Sequence, residues 1–141
     1  PGRWARLATT PARRVGPDRV KFLLDSVIVI DHLNGIAPAT VFLAERASAC
    51  AVSVITRAEV LAGFDDADAP LARELLDLFP ALPITTDTAD LAARLRRRLH
   101  LKLPDALQAA LAVGYDLTLV TRNTRDFRSG ADFKVEVPYL V

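Results

Sequence analysis

The sequence predicts an α/β fold in which a mostly parallel sheet carries helices on both faces. Three observations lead there. From Lys21 onward, short apolar runs alternate with segments of helical period. The runs are apolar throughout rather than at every second residue, as in strands buried on both faces. Prolines stand near the starts, and glycines at the ends, of several intervening segments, as expected of helices. Such a β-α-β-α rhythm packs as a layered parallel sheet.

The elements follow in order. Phe22-Leu23-Leu24 is a buried strand ending at Asp25. Val27 to Leu33 is an apolar segment holding Asp31 and His32, with a helix stop at Gly35. Pro38 to Ala47 reads as a helix and Ala49 to Ser53 as a second strand. Val60, Leu61 and Phe64 have helical spacing within Thr56 to Phe64, and Asp65, Asp66 and Asp68 form a turn. Leu71, Leu75, Leu76 and Phe79 mark an amphipathic helix, and Leu82 to Thr85 is strand-like. Asp87 suits an N-cap, with Asp90 three residues on, before the stripe Leu91, Leu95 and Leu99. Pro104 opens a helix closed by Gly114. Leu117 to Thr121 is a strand, and Val135 and Val137 belong to a last one stopped by Pro138.

Composition narrows the function classes. A chain of 141 residues suits one domain, and 51% hydrophobic with 25% charged residues is globular rather than disordered. Cys50 is the sole cysteine, which excludes an intrachain disulfide and a zinc ribbon and suits a reducing compartment. No apolar run approaches the ~20 residues that span a bilayer, and the N-terminal residues lack the apolar core of a secretory signal. The expectation is a soluble cytoplasmic protein without a membrane partner. Residues 1–20 carry five arginines against Asp18, net +4, so the remaining chain is net −3. They are read as a basic flexible arm, with residues 21–141 as the folded domain.

In open parallel sheets the working site lies beyond the carboxyl ends of the strands. Asp25 ends the first strand, Glu59 lies in the helix after the second, Asp105 directly follows Pro104, and Asp126 follows the Leu117 to Thr121 strand. Each has an ordinary explanation by itself: a dipole partner for Asp105, a solvated loop for Asp126, a surface position for Glu59. Asp25 between two apolar runs needs a partner or a task. Two carboxylates ~4 Å apart repel by ~4 kcal/mol at an effective dielectric of 20, so a converged cluster requires a cation. With oxygen donors alone, Mg²⁺ or Mn²⁺ is the suitable ion. Metal-assisted phosphodiester hydrolysis is its natural chemistry.

At these residues the sequence resembles the PIN-domain family, in particular the VapC-type toxins of bacterial toxin–antitoxin pairs. The resemblance is carried by Phe22-Leu23-Leu24-Asp25-Ser26, by Ser53 to Gly63, by Leu103-Pro104-Asp105-Ala106-Leu107-Gln108-Ala109-Ala110 and by Thr121 to Phe127, in that order across residues 21–128. It implies a three-layer α/β/α sandwich and a Mg²⁺-dependent endoribonuclease. It also implies a homodimer neutralised by a small cognate antitoxin. Carried over residue by residue, Asp25, Glu59, Asp105 and Asp126 form the catalytic and metal-binding quartet. Many relatives are acidic at the position of Asn123, so Asn123 or Asp126 completes the site. Ser53 and Thr56 resemble polar residues lining the site, although either can instead cap the helix leading to Glu59.

Arg122 and Arg125 are the nearest phosphate candidates. The basic run Arg94 to Lys102 is either an RNA rim or a solvated helix face. Leu71, Leu75, Leu76 and Phe79 are core, or a face for a dimer or antitoxin. Trp4, Tyr115 and Tyr139 are too scattered to form a stacking platform, and His32 and His100 are read as ordinary histidines. A receiver domain needs a second acid beside Asp25, where Ser26 stands. A haloacid-dehalogenase-type phosphatase needs one at Val27. The alternative function is a catalytically silent PIN-like module that binds RNA or protein.

Overall fold

A computed structural model of the chain describes residues 20–127 and 132–141. Its strands are β1 (Phe22–Leu24), β2 (Cys50–Ser53), β3 (Ala81–Leu82), β4 (Thr118–Val120) and β5 (Lys134–Glu136). They form one sheet in the order β3-β2-β1-β4-β5, and every pairing is parallel. The helices are α1 (Ser26–Leu33), α2 (Ala37–Arg46), α3 (Val54–Ala62), α4 (Ala69–Leu76), α5 (Thr86–Leu99) and α6 (Leu103–Gly114). All but Val20 of the expected arm lies outside the described residues, as does the stretch 128–131.

Alternation along each strand explains the layers. Leu23, Ala51 and Leu119 point into a core with Ala92 and Leu95 of α5 and Ala106, Ala109 and Ala110 of α6. Their neighbours Leu24, Val52 and Val120 point the other way, onto Ile28 and Val29 of α1, Phe42 of α2, Val60 of α3 and Leu76 of α4. Successive strand side chains face opposite sides, so apolar neighbours build two cores from one strand. Leu23 and Leu24 are both fully buried, and truncating either to alanine costs about 2–5 kcal/mol. Among the described residues, no single helix is long and apolar enough to cross a membrane.

Local chemistry shifted several expected boundaries. β3 ends at Leu82, before Pro83. The N-cap of α5 is Thr85, not Asp87: its hydroxyl accepts from the Thr88 amide, and Asp87 sits in the first turn. Gly35 has φ 79° after α1, as expected of a stop, but left-handed turns elsewhere fall to His100 (φ 57°) and Asp116 (φ 54°). The α4 stripe divides its duties. Leu76 and Phe79 are buried, whereas Leu71 is 69% exposed.

Candidate active site

β1 is the pivot of the sheet. The chain runs outward from it through β2 and β3 on one side and through β4 and β5 on the other. The crevice beyond the carboxyl ends of β1 and β4 is thus the place where loops diverge and a ligand can enter.

Asp25 occupies that point. Its amide donates to the Val120 carbonyl at 2.9 Å. Its Oδ1 accepts from the Ser26 amide at 2.9 Å, capping α1, and its Oδ2 accepts from the Thr121 hydroxyl at 2.7 Å. Burial nevertheless pushes its pKa upward, against the pull of these donors. Glu59 is presented by α3, whose N-cap Ser53 accepts from the Thr56 amide. Burial is the first cause of its raised pKa, with the Asp25 charge adding to it and a Ser26 hydrogen bond opposing.

Asp105 lies in the first turn of α6, where the helix dipole favours a carboxylate. Yet its pKa is pushed up to about 6, by burial first and then by the charges of Asp126, Asp25 and Glu59. Asp126 is bracketed by Asn123, whose Nδ2 donates to Asp126 Oδ2 at 2.8 Å while its Oδ1 accepts from the Asp126 amide at 3.3 Å. The four expected acids, from four separate segments, thus lie within one another's field. Among the described residues no three His, Cys, Asp or Glu side chains stand close enough to grip one ion as placed. The carboxylates share a field rather than a finished coordination shell.

The expected polar lining behaves differently. Ser53 and Thr56 are fully buried, which leaves no surface for a substrate and bears on the capping alternative. Ser53 caps α3, and Thr56 Oγ1 donates to the Leu24 carbonyl at 3.3 Å while accepting from Gln108 Nε2 at 2.8 Å. Arg122 directs its Nε and Nη2 to Asp31 at 2.6 and 3.0 Å. Arg94, Arg96, Arg97 and Arg98 are exposed, and Arg98 pairs with Asp132. Beside Asp126, a cavity of about 280 Å³ opens between Leu99, Leu101, Phe133 and Arg125. His32 bonds Thr40 Oγ1.

Four supporting residues escaped the sequence reading: Thr121, Gln108, Asp31 and Tyr139. Gln108, three residues beyond Asp105 on the buried side of α6, reaches Thr56, and its Oε1 has no partner among the described residues. A polar residue in an otherwise apolar helix face was the available signal. Asp31 gave the same signal in α1.

A parallel sheet sandwiched by helices, with acids gathered beyond its central strands, defines a three-layer α/β/α domain. The PIN domain family model matches residues 22–132, and the chain belongs to that family. It is 33% identical over 125 residues to Ribonuclease VapC19 of Mycobacterium tuberculosis, covering 83% of this chain and 98% of that protein. A toxin–antitoxin complex from Klebsiella pneumoniae contains a chain 34% identical, with a TM-score of 0.77, covering 86% of this chain and 100% of that one. FitAcB from Neisseria gonorrhoeae is 26% identical with a TM-score of 0.70, over 83% of this chain and 97% of that one.

Proposed function

We propose that the chain is a metal-dependent endoribonuclease, the toxin of a toxin–antitoxin pair, acting on RNA in the cytoplasm. The single observation that carries the chemistry is Asp105. Its carboxyl is raised to about 6 in part by three other acids drawn from distant segments, an arrangement that an apo fold gains nothing by keeping. The donors are all oxygens, which suits Mg²⁺, with Mn²⁺ as substitute. Asp25, Glu59, Asp105 and Asp126 would hold it, with Asn123 orienting Asp126. A bound Mg²⁺ supplies an acidified water and charge neutralisation at the scissile phosphate.

The protein's own groups prepare that site. Ser26 and Thr121 fix both oxygens of Asp25 in place. Asp105 is the carboxyl able to carry a proton near pH 6 when no cation is present. Arg125 is exposed and makes no ion pair among the described residues, which frees it for a phosphate. The likeness to ribonucleases of this family and to a toxin–antitoxin complex supports both the RNA substrate and the antitoxin partner. A homodimer is part of the same reading, with the exposed Leu71 on α4 as a candidate contact.

The test is digestion of RNA by purified protein with Mg²⁺, with EDTA and with the Asp25→Asn variant. Cleavage confined to wild type with Mg²⁺ supports the proposal. Cleavage that persists in EDTA overturns the metal, and binding of RNA without cleavage favours the silent module. Light scattering alone and with antitoxin reads the oligomer.

A further inference from the structure

We infer that Asp31, Arg122 and Tyr139 form a positioning clamp that sets the acidic loop after β4, and so make the segment beyond β5 part of the active-site machinery. The inference rests on the nuclease reading above and adds to it a role for residues that touch neither metal nor substrate.

Asp31 belongs to the buried face of α1, beside Ile28 and Val29. A carboxylate there is costly unless it is fully engaged. It is: Oδ2 accepts from Arg122 Nε at 2.6 Å and from the Tyr139 hydroxyl at 2.8 Å, and Oδ1 accepts from Arg122 Nη2 at 3.0 Å. The two arginine bonds form a planar fork that fixes orientation as well as charge. Arg122 holds the Asp31 carboxyl below its usual range.

Arg122 stands between two residues that each hold one acid. Thr121 donates to Asp25 Oδ2 at 2.7 Å. Asn123 brackets Asp126, and its own amide donates to Thr121 Oγ1 at 2.9 Å. Three consecutive residues therefore tie three separate carboxylates: Asp25, Asp31 and Asp126. The loop is pinned at its far end by Phe127, which is buried and donates its amide to the Asn123 carbonyl at 3.1 Å. The Asp31 fork supplies the near pin, and Tyr139, directly after Pro138, braces that fork from the C-terminal segment. With the fork released, the near end of the loop is held only through Thr121, by its bonds to Asp25, to the Asn123 amide and to the Glu136 carbonyl, and the spacing of Asp25 and Asp126 loosens. Small misplacements of catalytic groups cost rate steeply.

The experiment uses Tyr139→Phe, which deletes one hydroxyl, together with Asp31→Asn and Arg122→Lys. Each is measured for RNA-cleavage kcat and KM, for Tm, and for hydrogen exchange of the peptide spanning residues 121–127. Positioning predicts that Tyr139→Phe lowers kcat about tenfold at unchanged KM and speeds exchange of that peptide, with a Tm loss of no more than the few degrees that one hydrogen bond accounts for. Arg122→Lys, which keeps the charge without the fork, should show the same loss. A rise in KM at constant kcat makes Arg122 a phosphate ligand and overturns the clamp. Full activity of Arg122→Lys, or unchanged kcat and exchange in Tyr139→Phe, overturns it too. Should wild type itself not cleave RNA, the nuclease reading fails, and the exchange data alone then decide whether the clamp holds the loop.

Discussion

The Thr121 hydroxyl donates a hydrogen bond to Asp25 Oδ2 at 2.7 Å, across 96 residues of sequence. The two lie just past the carboxyl ends of paired strands, with Leu24 in register with Val120. The bond therefore joins the outermost backbone of β1 and β4 through side chains. Thr121 is fully buried, so its place beside Asp25 is not readily taken by water.

Thr121→Val keeps the shape and removes the donor. It leaves a buried carboxylate oxygen without its partner, which costs about 1–3 kcal/mol. The Asp25 pKa, already raised by burial, should rise further. Urea unfolding at pH 7 reads the loss, and Thr121→Ser should recover most of it. Equal stability of the valine and serine variants would show that the bond contributes nothing.

The raised pKa of Asp105 makes a signed prediction for the metal-free protein. Its folded value is about 6 against 3.8 for the free group, so the native state binds that proton more tightly. The associated stability is present below pH 3.8 and is lost as pH climbs through 6. Asp105→Asn should therefore be more stable than wild type at pH 7.5. The difference is about 1 kcal/mol once solvent screening of this half-buried group is allowed for, and it should vanish near pH 4. Added Mg²⁺ should raise the Tm of wild type and move the variant less. A variant less stable than wild type at pH 7.5 without metal contradicts the crowded-acid account.

Legibility in the sequence followed the range of the forces involved. Leu23 and Leu24 announce a strand buried on both faces because burial acts residue by residue, and Asp25 stands out because it abruptly ends that run. The choice of Thr85 over Asp87 as the cap of α5 was harder to see. Both are good caps, and the helix takes Thr85, whose hydroxyl accepts from the Thr88 amide. The Asp31–Arg122–Tyr139 group was not legible at all. Its members lie 91 and 108 residues from Asp31, and no local pattern encodes which arginine meets which acid. Arg122, expected beside phosphate, turns its Nε and Nη2 to Asp31.

Ser53 offers a test of support against contact. It is fully buried and caps α3 by accepting from the Thr56 amide at 2.9 Å. Ser53→Ala removes that cap and should cost about 1 kcal/mol. Because α3 carries Glu59, kcat should fall modestly. KM for RNA should not change, since the hydroxyl has no surface to offer a substrate. A KM effect without a stability effect would place Ser53 on the substrate after all.

The quartet should also behave as one unit in mutant combinations. Asp25 and Asp105 each act through the same cation and the same aligned phosphate in the proposed mechanism, so losing either forfeits the shared chemistry. Residues that work as a unit are strongly non-additive. Asp25→Asn and Asp105→Asn should each reduce Mg²⁺-dependent RNA cleavage by several orders of magnitude, and the double variant should be scarcely slower than the worse single one. In stability the same pair should behave otherwise. Each substitution relieves repulsion felt by the other, since the Asp25 charge is among the causes raising Asp105. Without metal, the double variant should therefore gain less than the sum of the single gains at pH 7.5. Fully additive rate losses would mean that the two carboxylates serve separate steps or separate ions, and fully additive stabilities would mean that they do not sense each other.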